Sequence, residues 1–180
     1  MSGRAYTLPF SRPDAPDLRE ICGLGLAAVF VFALSGALLA GRKAMDAFGM
    51  FVVAFITGVG GGTVRDVVLD RPVFWLADGR YMAAALLATA IVFAFGATIE
   101  KAGRPLALAD ALGLAVAAPL GAVAAQSVVL TMAVVTGSFG GMIRDVVCKE
   151  PPMILHREVY ATAALGGGLA WLGAERLTGE

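Results

Sequence analysis

A chain of 180 residues that is 58% hydrophobic and 16% charged, with a mean hydropathy of +0.79, carries more apolar surface than a soluble domain of that size can bury, and reads as a membrane protein. Basic and acidic residues balance at 14 each, so no charge surplus points to nucleic acid or to an acidic partner. Cys22 and Cys148 lie in or beside apolar runs and the single His156 falls in a loop, which gives no support to a disulfide framework or a resident metal.

In chain order, residues 1–17 form a polar tail with Arg4, Arg12 and three prolines; it lacks the apolar core and small-residue cleavage site of a signal peptide. Six apolar runs follow, each long enough to cross a hydrocarbon core of about 30 Å. They cover Arg19 to Ala40, Asp46 to Leu69, Arg80 to Ile99, Leu106 to Ala125, the segment after Ser127 to Cys148, and Arg157 to Glu175. Breaks fall at Gly41 to Lys43, at Asp70 to Pro72, at Glu100 to Pro105, around Gln126, and at Lys149 to Pro152. The fourth run contains Pro119, and Trp75, Tyr81, Tyr160 and Trp171 fit an aromatic belt at the membrane interfaces.

The second and fifth runs contain the same signature. TGVGGGTVRDVVLDRPVFWL, Thr57 to Leu76, is echoed by TGSFGGMIRDVVCKEPPMIL, Thr136 to Leu155, at a shift of 79 positions (136 − 57) without a gap. Matches include Arg65 with Arg144, Asp66 with Asp145, Pro72 with Pro151 and, further on, Tyr81 with Tyr160, so the chain is an internal duplication. The first repeat occupies residues 18–100 and the second 101–176. Three crossings in each repeat insert the second copy from the opposite side. The expected fold is therefore all-α and polytopic, built of two inverted three-helix repeats with kinked second and fifth helices. With Arg65 and Arg144 set aside, each membrane side carries six basic residues, so the positive-inside rule assigns no orientation.

Consecutive glycines cost a helix about 1 kcal/mol each against alanine, so something must offset them. Gly60, Gly61, Gly62, Gly140 and Gly141 fit either close helix crossing or a bend whose freed carbonyls face a wet pathway; their duplication beside intramembrane charges favours the bend. Arg65, Asp66, Arg144 and Asp145 fit either snorkelling helix ends or positions facing a bundle interior or water path. Apolar Val67 to Leu69 and Val146 to Cys148 follow them, which favours the interior. Adjacent helical residues point apart by about 100°, so each arginine is expected to find its partner somewhere other than on the neighbouring aspartate. Thr57, Thr63, Thr136 and Ser138 are the candidate pore-lining hydroxyls. Ser35, Gly36, Gly113, Gly121 and Gly166 to Gly168 suit close packing, and Asp110 is either an interface cap or a pore-lining acid.

Both copies of the motif, with VFALSGALLAGRKAMDAFG before the first, closely resemble the bacterial branch of the trimeric intracellular cation channel family, across about Leu18 to Leu172. Some descriptions label that family glycine transporters. The resemblance implies a multi-pass protein of the inner (plasma) membrane that is not an enzyme. It also implies a homotrimer surrounded by lipid, in which each protomer has an hourglass pathway for monovalent cations, chiefly potassium, with potassium or sodium as permeant ion and no cofactor. The kinks fall on Gly60, Gly61, Gly62, Gly140 and Gly141, and the polar or gating positions on Thr57, Thr63, Arg65, Asp66, Thr136, Ser138, Arg144 and Asp145. Phe139 departs from the pattern by replacing the first glycine of the second copy. Relatives usually add a seventh helix, which implies a shortened or truncated chain here, and many carry a basic residue where this sequence reads GAVAAQS, Gly121 to Ser127. The rival function is secondary transport of glycine or a similar zwitterion, its carboxylate and ammonium meeting Arg and Asp. An aspartyl hydrolase using Asp66 and Asp145 is disfavoured because inversion puts the two carboxylates on opposite sides of the midplane.

Overall fold

A computed structural model describes residues 18–100, 105–124 and 129–152. Five helices occupy them: α1 Leu18–Arg42, α2 Ala47–Val68, α3 Arg80–Glu100, α4 Pro105–Ala124 and α5 Val129–Val147, with a 3-10 turn at Phe74–Leu76 between α2 and α3. At about 1.5 Å per residue their 19 to 25 residues reach about 28 to 38 Å, the thickness of a hydrocarbon core. The helices match the first five apolar runs to within about two residues. The polar tail, the sixth run, Tyr160 and Trp171 lie outside the described residues.

Local chemistry fixes the ends of α2 and α5. Asp46 caps α2, its carboxylate accepting from the Gly49 N–H at 2.7 Å. At the other end the chain turns left-handed at Asp70 (φ 52°), and the Arg71 N–H donates to the Asp66 carbonyl at 2.8 Å. The second copy stops in the same way: Lys149 has φ 55° and the Glu150 N–H donates to the Asp145 carbonyl at 2.8 Å. This shared stop leaves each Arg-Asp pair in the last turn of its helix.

Packing is governed by small residues. Ala33, Ser35, Ala37 and Ala40 of α1 are fully buried, and Gly36 lies against Thr57 and the backbone of Val53 and Ala54 on α2. In the second repeat Gly121 lies against Thr136 and the Met132 carbonyl in the same way. Val29 and Ala33 border Gly58 as Leu114 and Ala118 border Gly137. The first helices of the two repeats therefore correspond at a shift of 85 positions (121 − 36), not the 79 of the glycine motif. Between these contacts the first repeat runs 22 positions (58 − 36) and the second 16 (137 − 121).

The repeats meet where α2 crosses α5. A Cβ on Gly61 would strike the Thr136 carbonyl, and one on Gly140 would strike the Thr57 carbonyl. As α2 advances from Thr57 to Gly61 its neighbour on α5 moves back from Gly140 to Thr136, so the two helices run antiparallel. That is the direction inverted repeats require. Both helices continue through their glycines without an interrupting turn. Gly60 sits 3.4 Å from Gly140 Cα by the same Cβ measure, Gly62 receives the ring of Phe74, and Gly141 is buried in α5. The bare glycine backbone serves here in the close crossing of the two helices. Apolar lipid gives helices no hydrophobic reason to associate, so backbone-to-backbone dispersion is what glycine contributes.

Gly41 and Gly96 supply the contrast, since a Cβ there would meet only Met50 at 3.6 Å or Val92 at 3.4 Å, ordinary contact distances. Gly61→Ala should cost about 1–3 kcal/mol through overpacking at the crossing. Gly41→Ala should be neutral or stabilise by up to about 1 kcal/mol. Thermal unfolding of the two variants in one detergent, compared with the parent, checks the difference.

Candidate functional site

The α2–α5 crossing sends the two arginines to opposite ends of the bundle, and each is met first by its own neighbour. Arg65 donates from Nε to Asp66 Oδ1 at 2.8 Å, with Nη2 2.7 Å from the same oxygen. Arg144 repeats this on Asp145 Oδ1, at 2.8 Å from Nε and 2.7 Å from Nη2. The expectation that adjacent residues would not pair is overturned. The angle of about 100° describes where side chains leave the helix, and the long arginine folds back over the last turn to reach its neighbour. Each carboxylate accepts two donors from one guanidinium, a charge-assisted arrangement.

The surroundings of the two pairs differ. Asp66 turns Oδ2 to the Phe74 N–H at 3.0 Å, and the Arg65 guanidinium lies 5.8 Å from the centre of the Phe74 ring. Trp75 Nε1 donates to Thr63 at 3.0 Å, and Thr63 donates to the Val59 carbonyl at 2.8 Å. Tyr81 meets Phe74 edge-on at 4.6 Å and is buried with Val29 and Val59. Phe74, Trp75 and Tyr81 thus close over the first pair. Tyr81 is a packing residue, not part of an outward-facing belt.

The second pair is sealed by side chains from other helices. Arg144 Nη1 donates to Ser35 Oγ of α1 at 2.8 Å and to Asp110 Oδ1 of α4. The Arg144 side chain is 1% exposed and Asp110 0%, against 15% for Arg65. Neither arginine snorkels. Asp110 is neither a cap nor an open pore acid but the second carboxylate on a buried guanidinium. Ser35, read from sequence as a packing residue, is that guanidinium's third partner. A full-length arginine buried in membrane needs more than one acceptor, and α4 begins at the bundle end where α5 stops; those two facts together were the available signal for Asp110.

The remaining candidates divide by repeat. Thr57 donates to the Val53 carbonyl at 2.6 Å. Thr136 and Ser138 are buried on α5 and, among the described residues, their hydroxyls have no partner, nor does Asp110 Oδ2. Asp66 and Asp145 lie at opposite ends of the crossing, each committed to an arginine, so they form no acid–base dyad.

Known proteins share this fold. A family profile described as "Glycine transporter" matches residues 23–97 and 107–176. The Escherichia coli inner membrane protein YadS, of the UPF0126 group, is 41% identical over 154 residues, covering 81% of this chain and 74% of its own. The trimeric intracellular cation channel orthologue from Rhodobacter sphaeroides superposes with a TM-score of 0.83 at 38% identity, covering 89% of this chain and 86% of that one. A prokaryotic channel of the same family solved in 0.5 M KCl gives a TM-score of 0.77 at 30% identity over 86% of this chain and 83% of that one. The chain belongs to the trimeric intracellular cation channel family. It is accordingly an all-α, multi-pass protein of the inner membrane.

Removing one member of a buried ion cluster leaves the others uncompensated, at about 3–5 kcal/mol. Arg144→Gln should therefore lower the unfolding temperature by on the order of 10 °C. Arg65→Gln, at the more exposed pair, should lower it by much less. Scanning calorimetry or thermal fluorescence of both variants in detergent tests that order.

Proposed function

We propose that this chain is a monovalent cation channel, chiefly for potassium, that works as a homotrimer with a separate hourglass pathway in each protomer. The pathway follows the α2–α5 crossing, with Gly60, Gly61, Gly62, Gly140 and Gly141 at its waist. Thr57, Thr63, Thr136 and Ser138 are its polar lining, and one Arg-Asp pair stands toward either end. The observation that carries this reading is that both intramembrane arginines are neutralised by carboxylates within hydrogen-bond distance. An unpaired guanidinium at each end would repel cations, and the pairing removes that barrier. The unpartnered hydroxyls of Thr136 and Ser138 can replace part of an ion's hydration shell. Support also comes from the solved relatives described as cation channels. Because the glycine faces touch at the waist, conduction requires α2 and α5 to shift relative to one another.

The glycine-transporter reading needs a free guanidinium for the substrate carboxylate and a free carboxylate for its ammonium. Arg65 and Asp66 hold each other, and so do Arg144 and Asp145. Neither pair is open to a zwitterion without breaking first, so the channel reading is preferred.

Purified protein in planar bilayers under a KCl gradient should give unitary currents without added substrate, reversing toward the potassium potential. Reversal at the chloride potential sinks the cation assignment. Saturable, competable uptake of labelled glycine into proteoliposomes, with no unitary currents, would replace the channel by the transporter.

A further inference from the structure

The two ends of the bundle share an Arg-Asp pair but not a second carboxylate. Asp110 approaches Arg144 from α4. Under the 85-position correspondence that relates Gly36 to Gly121 and Ala33 to Ala118, its counterpart on α1 is Gly25. A Cβ on Gly25 would meet the Tyr81 hydroxyl at 3.1 Å, so this place at the first end holds no acid. Asp110 is therefore one negative charge added to one end of a duplicated architecture. It is 0% exposed, and its Oδ2 has no hydrogen-bond partner. The Arg144 guanidinium already neutralises a carboxylate in the form common to both repeats, so the charge of Asp110 is not needed to cancel it. In a low-dielectric interior the field of such a charge extends well beyond contact distance.

We propose that Asp110 is a selectivity-determining residue: its charge favours cations at the Arg144 end of the pathway and makes conduction unequal in the two directions. This rests on the cation-channel reading and deepens it. Asp110 acts through the field it places along the pathway, and Arg144 holds it in position. Exposed charges at the bundle ends, such as Lys43 with Glu150 and Asp78 with Arg80, are screened within about 3 Å at 1 M salt. The contribution of a buried carboxylate survives that screening.

The test is bilayer recording at about 1 M salt from the full chain and three variants. Asp110→Asn should lower the potassium-over-chloride permeability ratio by roughly threefold or more and make the current–voltage curve nearly symmetric. Ser35→Ala, which removes a neutral partner from the same guanidinium, should leave both readouts at parental values. Gly25→Asp, which puts a carboxylate at the corresponding place on the other end, should raise the permeability ratio while also reducing the asymmetry. Should Asp110→Asn fail to fold, Gly25→Asp decides alone, since an unchanged ratio and asymmetry in it overturn the proposal. Asp110→Asn with parental selectivity and asymmetry overturns it as well, and so does Ser35→Ala shifting both readouts as far as Asp110→Asn does. A parent with no cation current refutes the channel reading itself, an outcome distinct from a conducting parent whose variants behave alike.

Discussion

The contact of Gly61 with the Thr136 carbonyl and of Gly140 with the Thr57 carbonyl is the constraint on which the rest of the molecule depends. Within a bilayer the usual drive to bury apolar surface is absent between helices, so close backbone approach has to hold the two repeats together. A side chain at either glycine would separate α2 from α5. The crossing also fixes where everything else lies. Arg65 stands one turn beyond Gly61 and Arg144 one turn beyond Gly140, and since the helices are antiparallel the two charges diverge to opposite ends.

Once placed there, each arginine has to be compensated within the bundle. The duplication supplies one solution, the neighbouring aspartate, in both copies. The remaining donors are handled differently. In the first repeat the chain after α2 folds back, so that the Phe74 N–H orients Asp66 and the Phe74 ring covers Arg65. In the second, α1 and α4 contribute Ser35 and Asp110. The first solution is local, within about ten residues of the charge. The second joins three helices, which makes Arg144 part of the bundle's tertiary structure as well as of its electrostatics.

Much of this was legible in the residues. The apolar runs located α1 to α5 closely because helix length in a bilayer is set by hydrocarbon thickness. The repeat was legible because Arg, Asp and Pro recur at a constant shift. Three features were not. A helical wheel gives the direction of each Cα–Cβ bond and ignores the reach of arginine, which hid the pairing of Arg65 with Asp66. Glycine clusters suit bending and close crossing, and only the position of the neighbouring backbone shows that these make a crossing. The 79-position shift, correct for α2 and α5, misaligns α1 with α4 because 22 positions (58 − 36) separate Gly36 from Gly58 and only 16 (137 − 121) separate Gly121 from Gly137. With that shift Asp110 falls opposite Val31, and its relation to Gly25 stays hidden.

The departures between the repeats share a direction. Where the first copy has Gly25, Val59 and Gly60, the second has Asp110, Ser138 and Phe139. Thr57 and Thr63 of the first copy spend their hydroxyls on backbone carbonyls of α2, whereas Thr136 and Ser138 of the second leave theirs uncommitted. A buried polar atom without a partner costs roughly 1–3 kcal/mol, and three of them lie in the second repeat among the described residues, on α4 and α5. Packing cannot account for that concentration, because the first copy achieves the same crossing with its hydroxyls satisfied. Gly61 of the first repeat and Gly140 of the second make the same crossing, so the two copies have kept the packing they share while diverging in polarity.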